Sequence, residues 1–342
     1  MKNSETEIHE KDYSIYNADC IEVLGQMPDE SIDLSVYSPP FAGLYNYSSD
    51  ERDLSNCENP EQFLEHYEFV VREMGRVTKK GRYNCVHVTD IMNSKTESLY
   101  DFPHDVIKLH LKHGFEFKAR IMVSKEPMKV RLRTMVKSLM HVTMIEDATS
   151  CFPAMPDYVL IFKKKGDPDV PVRHDGGLKH YFGELPMLPH MLGSTNTDTD
   201  DFLTLSTTAF KALQDKYWTF EGDHKENKLS HMIYRRYMDS YWGDVRIDNV
   251  LPFRDGRDED DEKHVHPLQL DVIDRCVVLW SNPGEVVLTP FGGVMSEVFS
   301  PVSLGRKGIG IELKASYFRQ AIENMKLCKK RFQDPQQTLF ND

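Results

Sequence analysis

The feature that most constrains the fold of this chain is a short segment, Ile32–Tyr37, that stops abruptly at Ser38-Pro39-Pro40. Its length and composition are typical of a buried β-strand. The strand has to end there because neither proline has a backbone N–H to donate to a neighbouring strand. An amphipathic helix is predicted over residues 60–80, where apolar side chains fall on one face. Strand followed by helix is the first sign of an α/β pattern.

Strand and helix patterns alternate in two parts of the chain, residues 13–165 and 246–330. Between them the pattern degrades: residues 193–201 have the composition of a loop, and helices are predicted over 202–217 and 229–241. The alternation predicts an α/β fold, a doubly wound Rossmann-like sheet. We expect residues 1–165 and 246–342 to form the two halves of that sheet, interrupted by an inserted segment at 166–245.

The composition excludes several classes of protein. Forty per cent of the 342 residues are apolar, enough for a proper core, which argues against wholesale disorder. No apolar run approaches the roughly 18–20 residues that cross a bilayer, and residues 1–12 are too polar for a signal peptide. The six cysteines include no CxxC pair, so no metal site is predicted, and sparse thiols suit a reducing cytoplasm. We therefore expect a cytoplasmic protein with no membrane partner.

Two predicted strand ends carry residues suited to chemistry. One is Ser38-Pro39-Pro40-Phe41, and the other is Thr289-Pro290-Phe291-Gly292-Gly293, followed one βα unit later by Glu312. In open α/β sheets, ligands bind outside the carboxyl ends of the strands. A glycine-rich turn lets the backbone approach a nucleotide, and an acidic residue about 20 positions later binds ribose hydroxyls. Alone this signal is weak, because a tight structural turn and a surface glutamate explain it equally well.

Taken in order, the motifs resemble those of the DNA amino-methyltransferases, which transfer a methyl group from S-adenosyl-L-methionine to an exocyclic amine of a base. The matching stretches are residues 17–20, 31–34, 38–41, 266–267, 282–285, the Phe291-Gly292 turn, 305–307 and 310–312. The tetrapeptide at 38–41 precedes the glycine-rich turn, as in the permuted beta class of that family. The resemblance covers residues 13–165 and 246–330. It implies that the middle segment holds the target-recognition region.

The resemblance also implies site residues. The catalytic set is Ser38, Pro39, Pro40 and Phe41; the set that binds S-adenosyl-L-methionine is Asp19, His266, Pro290, Phe291, Gly292, Gly293 and Glu312. Glu312 is expected to bind the ribose hydroxyls, Asp19 to lie near the adenine, and His266 to lie near the amino-acid end of the cofactor. Asp19 equally suits a helix N-cap, and His266 suits a surface histidine before a proline that opens a helix.

The chemistry of methyl transfer explains the tetrapeptide. An exocyclic amine is a poor nucleophile because its lone pair is delocalised into the ring. The Ser38 hydroxyl and the Pro39 carbonyl can accept its hydrogens and localise that lone pair, and Phe41 offers a π-face to an extruded base. The family's cytosine-N4 enzymes typically have Ser at the first position and adenine-N6 enzymes Asp or Asn, so Ser38 favours cytosine N4, with adenine N6 as the alternative. A 5-methylcytosine mechanism needs a thiolate, usually in a Pro-Cys pair, and this sequence has no such pair.

Two positions depart from the family pattern. Thr289 stands where the family usually has Asp, and Met295-Ser296 stands where it usually has Gly-Thr. Thr289 removes a carboxylate, and Met295 adds bulk where the backbone should approach the cofactor. These departures predict weak cofactor binding or a turn of another shape. A catalytically weak or inactive DNA-binding protein with this fold is therefore a rival hypothesis, and an RNA methyltransferase is a third.

The charge distribution bears on a nucleic-acid partner. The net charge of −12 argues mildly against one, but residues 118–137 hold seven basic side chains and one acidic one. Such a stripe is typical of phosphate contacts or of a solvated loop. The predicted DNA contacts are Lys125, Lys129, Arg131 and Arg133 from this stripe, with Arg235 and Arg236 from an aromatic-rich cluster that also suits a helix core. DNA is the predicted partner; a homodimer and a restriction partner are open alternatives.

Overall fold

The computed structural model describes residues 6–40, 57, 60–93, 96, 98–180, 212, 215–217, 220–256 and 267–328. Its strands are β1 (Glu7–His9), β2 (Tyr13–Tyr16), β3 (Ile32–Tyr37), β4 (Thr78–Thr89), β5 (Ile91–Met92), β6 (Leu99–Tyr100), β7 (Phe115–Val123), β8 (Asp157–Lys164), β9 (Tyr241–Trp242), β10 (Val286–Thr289) and β11 (Lys307–Ile311). Within the described residues, β5 and β6 pair with each other and the other strands form a single sheet.

The strands of that sheet lie in the order β1-β2-β11-β10-β3-β4-β8-β7-β9. The central strands β2, β11, β10, β3 and β4 are parallel to one another. β8 lies antiparallel between β4 and β7. The last two described strands, β10 and β11, are therefore inserted between β2 and β3, and the five parallel strands end at one edge of the sheet.

The described residues form nine helices. They are α1 (Cys20–Gln26), α2 (Pro60–Val77), α3 (Phe102–Lys112), α4 (Pro127–Thr134), α5 (His141–Glu146), α6 (Lys228–Tyr237), α7 (Leu270–Trp280), α8 (Ser296–Ser303) and α9 (Ala315–Lys326). Polar residues fix where several of them begin. Asp101, for example, accepts a hydrogen bond from the backbone N–H of His104 in the first turn of α3, where Pro103 is tolerated because that turn needs no donor at its position.

Helices cover both faces of the sheet. In β8, Val159 and Ile161 pack on one face with α6 and α7, whereas Leu160 and Phe162 pack on the other face with α2 and α3. This alternation follows from the two-residue period of a strand. A largely parallel sheet buried on both faces is the doubly wound α/β fold that the sequence predicted.

The middle segment differs from the prediction. The helix predicted over 229–241 ends at Tyr237, and Tyr241–Trp242 forms the edge strand β9 beside β7. Trp242 is fully buried and packs in the same core as α6 and α7. This part of the segment continues the sheet, so the expectation that the whole segment only interrupts it is wrong here. The loop at 193–201 and most of the helix predicted over 202–217 lie outside the described residues.

In the described part of the chain, every helix is too short or too polar to cross a lipid bilayer. Across the same residues, no group of three or more His, Cys, Asp or Glu side chains is arranged to hold a metal ion.

Candidate active site

Three predicted site elements meet at one edge of the sheet. β10 pairs in parallel with β3 on one side and with β11 on the other. Ser38, Pro290 and Glu312 directly follow these three strands, so they lie at the shared carboxyl edge. Two strand spacings separate the end of β3 from that of β11, about 10 Å. The edge is where ligands bind in open α/β sheets.

Hydrogen bonds hold the glycine-rich turn against the end of β11. The Glu312 carboxylate accepts one hydrogen bond from the backbone N–H of Gly293 and another from that of Lys314, each at 2.7 Å. The side-chain amide of Asn17 donates to the carbonyl oxygens of Glu312 (2.8 Å) and Leu313 (2.9 Å). The acidic residue predicted from spacing and the glycine predicted from the turn are thus in direct contact.

The turn has features that suit a polar ligand. Gly293 has a φ of +51°, and the position that a Cβ would occupy there is open space. The buried hydroxyls of Thr289 and Ser296 form no hydrogen bond with any described residue. Leaving such a group unpaired costs about 1–3 kcal/mol, so a bound polar group that satisfies them is favoured. These residues fit the cofactor that the resemblance implies.

Met295 takes the backbone conformation of a glycine while its side chain is buried. Its φ is +66°, in the left-handed region, and its side chain is fully buried among Ile15, Val298 and Phe318. A Cβ added to Gly292 or Gly310 would lie 2.4 or 2.3 Å from its sulfur, so these two glycines make room for it. The expected bulk therefore fills the core beneath the turn and does not project from it.

The tetrapeptide predicted to be catalytic follows β3 beside a cluster of buried aromatic side chains. Tyr37 is fully buried, and its hydroxyl lies 3.3 Å from that of Tyr67 and 3.2 Å from Nε2 of His110. The Phe291 ring of the glycine-rich turn lies 6.1 Å from Tyr37 and 6.4 Å from Tyr67, between ring centroids. These contacts link the end of β3 to the turn after β10. Pro39 is buried and Pro40 half-buried; Phe41 lies outside the described residues.

A chain of contacts missed by the sequence reasoning runs from Ser38 into the protein. The Ser38 hydroxyl donates to the carbonyl oxygen of His87 at 3.0 Å and lies 3.5 Å from His87 Nδ1. His87 Nε2 lies 3.2 Å from Asp157 Oδ2, and Lys125 Nζ lies 2.5 Å from Asp157 Oδ1. Burial raises the pKa of Asp157, but its contacts with Lys125 and His87 outweigh burial and hold the pKa well below the usual range.

The other predicted cofactor residues are only partly described. Asp19 caps α1 by accepting a 2.7 Å hydrogen bond from the backbone N–H of Ile21, which is the structural alternative. It also lies next to the site, because the backbone N–H of Ala18 donates to the Glu312 carbonyl oxygen at 3.2 Å. His266 lies outside the described residues. Cofactor contacts by Asp19 and His266 stay predictions.

Comparison with known proteins decides the family. The N6/N4 methyltransferase family model, described as DNA methylase, matches residues 32–323. The chain belongs to this DNA methylase family. Two relatives of the methylase are DNA adenine methyltransferase YhdJ of Escherichia coli K12, 22% identical over 91% of this chain and 82% of that protein, and Type II methyltransferase M.BamHI of Bacillus amyloliquefaciens, 23% identical over 92% and 58%.

Solved structures share the fold of the methylase. TTHA0409 of Thermus thermophilus superposes with a TM-score of 0.57 at 19% identity, over 92% of this chain and 94% of that one. A structure of TTHA0409 complexed with S-adenosyl-L-methionine gives 0.55. The cytosine-N4-specific PvuII DNA methyltransferase gives 0.50 at 15% identity, over 94% and 93%. At these sequence identities, the structural similarity is evidence of a shared fold only.

Part of the basic stripe at residues 118–137 lies at the same edge of the methylase sheet as the candidate site. β7 is antiparallel to β8 and so runs parallel to β4, and its carboxyl end leads into α4. On α4, Lys129 is exposed and Arg131 is half-buried, while the side chain of Arg133 lies outside the described residues. Lys125, just before α4, forms an ion pair with the buried Asp157. Lys125 is therefore engaged within the protein and does not fit the predicted role of a simple phosphate contact.

Arg236 of the methylase is not a surface residue. It is 1% exposed and pairs with Asp244, which also accepts a 2.7 Å hydrogen bond from Arg275. The prediction that Arg236 contacts DNA is wrong, because its guanidinium is buried in this pair of arginines around one carboxylate. Arg235, its neighbour on α6, is half-buried, and a DNA contact by Arg235 stays a prediction.

Proposed function

We propose that this DNA methylase transfers the methyl group of S-adenosyl-L-methionine to the exocyclic amine of a base flipped out of DNA, and that the base is cytosine, methylated at N4. The observation that carries the proposal is the meeting of Ser38 and Glu312 at one sheet edge, on either side of the turn after β10. A substrate base and a nucleotide cofactor then face each other. A cytoplasmic location goes with this proposal.

The cofactor half of the proposal rests on the turn. When bound, S-adenosyl-L-methionine supplies an electrophilic methyl group. The turn offers the open space beside Gly293 and the unpartnered hydroxyls of Thr289 and Ser296. Glu312 has the position of a ribose-binding carboxylate, and Asp19 lies beside it. The complex of TTHA0409 with the same cofactor supports the assignment.

The catalytic half rests on acceptors that are held in place. The Ser38 hydroxyl and the Pro39 carbonyl are assigned to the two amine hydrogens, which localises the lone pair on nitrogen as the methyl group arrives. Proline rings fix the backbone that presents these acceptors, and the hydrogen bond from Ser38 to His87 fixes the hydroxyl. Phe41 is assigned to stack on the base.

Cytosine N4 is favoured by Ser38, since the family places Ser at this position in its cytosine-N4 enzymes. Adenine N6 is the second candidate, because the relative YhdJ is named a DNA adenine methyltransferase. Both bases present an amine with a delocalised lone pair, so the same acceptors serve either one.

Labelled-methyl transfer to mixed-sequence DNA, followed by nucleoside analysis, tests the proposal. We expect N4-methylcytosine; N6-methyladenine alone would overturn the choice of base. DNA binding without methyl transfer, at millimolar cofactor, would favour the rival DNA-binding protein.

Two variants test the assigned roles. Ser38→Ala should lower turnover far more than cofactor affinity, because its hydroxyl acts on the base. Glu312→Ala should weaken cofactor binding, measured by calorimetry. The matched controls are Ser31→Ala, at the opposite end of β3, and Glu323→Ala, exposed on α9; both should behave as the wild type. Equal loss of turnover and cofactor affinity in Ser38→Ala would contradict its role.

A further inference from the structure

We propose that His87, held by Asp157 and Lys125, positions the Ser38 hydroxyl and accepts its proton during methyl transfer. This inference rests on the proposed function and adds residues to it. It makes His87 a positioning residue and proton acceptor that acts on the base through Ser38.

Ser38 and His87 are held together by two contacts. The Ser38 hydroxyl donates to the His87 carbonyl oxygen at 3.0 Å, and the same hydroxyl oxygen lies 3.5 Å from His87 Nδ1. The contacts arise because β3 and β4 are neighbouring parallel strands, with Tyr37 opposite Val86. A small rotation of the hydroxyl hydrogen, from the carbonyl towards Nδ1, turns a resting hydrogen bond into a path for the proton.

Asp157 sets the ring of His87 in the state that this path needs. Asp157 is buried at the start of β8, and its Oδ2 lies 3.2 Å from His87 Nε2, within ion-pair distance but without the geometry of a hydrogen bond. An ionised carboxylate beside Nε2 favours the tautomer with the hydrogen on Nε2, which leaves the lone pair on Nδ1, facing Ser38.

Lys125 keeps that carboxylate charged. A buried carboxylate is costly unless it is paired, and Lys125 Nζ lies 2.5 Å from Asp157 Oδ1. Burial alone would raise the pKa of Asp157, but the positive charge of Lys125 opposes this effect, and the pKa lies well below its usual range. Asp157, from β8, is thus the titratable group in contact with the His87 ring among the described residues, and Lys125, which follows β7, acts on His87 through Asp157.

Methyl transfer releases a proton from the amine, and His87 is the group proposed to accept it. As the amine nitrogen bonds to the methyl carbon, the carbon–sulfur bond breaks and its electron pair stays on sulfur. The nitrogen then carries one proton too many. That proton passes to Ser38 Oγ while the hydroxyl proton of Ser38 moves to His87 Nδ1, and nothing is oxidised or reduced. The resulting imidazolium lies against the Asp157 carboxylate and later releases its proton to water.

The first test is the pH profile of turnover at saturating DNA and cofactor. We expect the wild-type rate to fall on acidification, as for any step that needs an unprotonated acceptor. His87→Asn should lower kcat by about 10²–10³-fold and remove that acid limb, while the KM for DNA and the cofactor affinity change little. Adding His87→Asn to Ser38→Ala should cause no further loss of kcat, because the two residues act as one unit. The control is His113→Asn, which removes a histidine paired with Glu68 elsewhere.

The second test does not depend on turnover. Nitrogen NMR of labelled histidine, with the His87 signals assigned by their loss in His87→Gln, should show the hydrogen on Nε2. Asp157→Asn, or Lys125→Met if the first variant does not fold, should shift the tautomer. A hydrogen on Nδ1, an unchanged pH profile in His87→Asn, or additive losses in the double variant would overturn the inference while leaving the proposed function intact. A wild-type protein that transfers no methyl group would overturn the proposed function, and the inference with it.

Discussion

The carboxylate of Glu312, at the end of β11, accepts a 2.7 Å hydrogen bond from the backbone N–H of Gly293, in the turn after β10. Its other oxygen accepts from the N–H of Lys314. The residue assigned to the cofactor is therefore also the residue that fixes the turn.

The double role of Glu312 predicts a cost in stability without any ligand. Glu312→Gln puts a neutral amide of the same size in place of the carboxylate. The amide has one acceptor oxygen where the carboxylate has two, so one of the two backbone N–H groups loses its charged acceptor. We expect a loss of about 1.5–3 kcal/mol in the free energy of unfolding, measured by urea denaturation without cofactor. A variant as stable as the wild type would show that these hydrogen bonds do not hold the turn.

The left-handed backbone at Met295 predicts an unusual order of variants. Met295→Ala keeps the strained φ of +66° and loses the buried side chain, at about 2–5 kcal/mol. Met295→Gly loses the same packing but relieves about 1 kcal/mol of backbone strain. Met295→Gly should therefore be the more stable of the two by thermal unfolding, whereas Gly is usually worse than Ala inside a fold. A Met295→Ala variant more stable than Met295→Gly would show that the backbone at residue 295 is not strained.

The buried His110 predicts a loss of stability in acid. Burial lowers its pKa from 6.5 to about 4. Below about pH 6.5 this histidine binds a proton in the unfolded chain but not in the folded protein. The free energy of unfolding therefore falls as the pH falls from about 6.5 to about 4, by up to about 3 kcal/mol. His110→Gln should flatten this dependence in urea denaturation, whereas His104→Gln, an exposed position on the same helix, should not. The same slope in all three proteins would contradict the prediction.

Glu297 predicts the opposite dependence in base. Burial, with a smaller contribution from the charge of Glu312, raises its pKa from 4.5 to about 8. The unfolded glutamate ionises above pH 4.5 but the folded one only near pH 8, so stability falls as the pH rises between these values, by up to about 5 kcal/mol. Glu297→Gln should be more stable than the wild type at about pH 9, and Glu323→Gln, exposed on α9, should match the wild type. Parallel curves for wild type and Glu297→Gln would sink the prediction.

The burial of Arg236 and the exposure of Lys129 predict different phenotypes for two basic residues. Lys129→Ala should weaken DNA binding and reduce the slope of log affinity against log salt by about 1. Arg236→Met should leave that slope unchanged and lower the free energy of unfolding by about 3 kcal/mol, because it breaks a buried ion pair. Fluorescence anisotropy across a salt series measures the first effect, and urea denaturation the second. A reduced salt slope in Arg236→Met would show that Arg236 contacts DNA after all.

The sequence predicts the central elements of the fold well because sharp local signals bound them. The bounds of β3 agree with the structure, since the prolines after Tyr37 stop the strand. The edge strand β9 was missed because Tyr241–Trp242 is too short to show a period of two. Its pairing with β7 depends on residues more than a hundred positions away.

The placement of the candidate residues was predicted where it depends on the ends of parallel strands. Ser38, Gly293 and Glu312 were expected at one edge, and they lie there. His87 and Asp157 were missed because each sits within or beside an apolar strand, and only the antiparallel pairing of β4 with β8 brings them together. The burial of Arg236 was missed because its partner Asp244 lies 8 positions away, and Arg275, which pairs with the same carboxylate, lies 39 positions away. Solvation of a charge is a tertiary property, which local sequence does not encode.

The place of β10 in the sheet has a consequence for synthesis on the ribosome. β3 and β4 emerge early, but the neighbour that β3 requires on its other side begins only at Val286. Until then the nascent chain carries an unpaired strand edge, a template for wrong association. We therefore expect completion of the sheet to be a late event in translation, and chains that stall before β10 to depend on chaperones for their solubility.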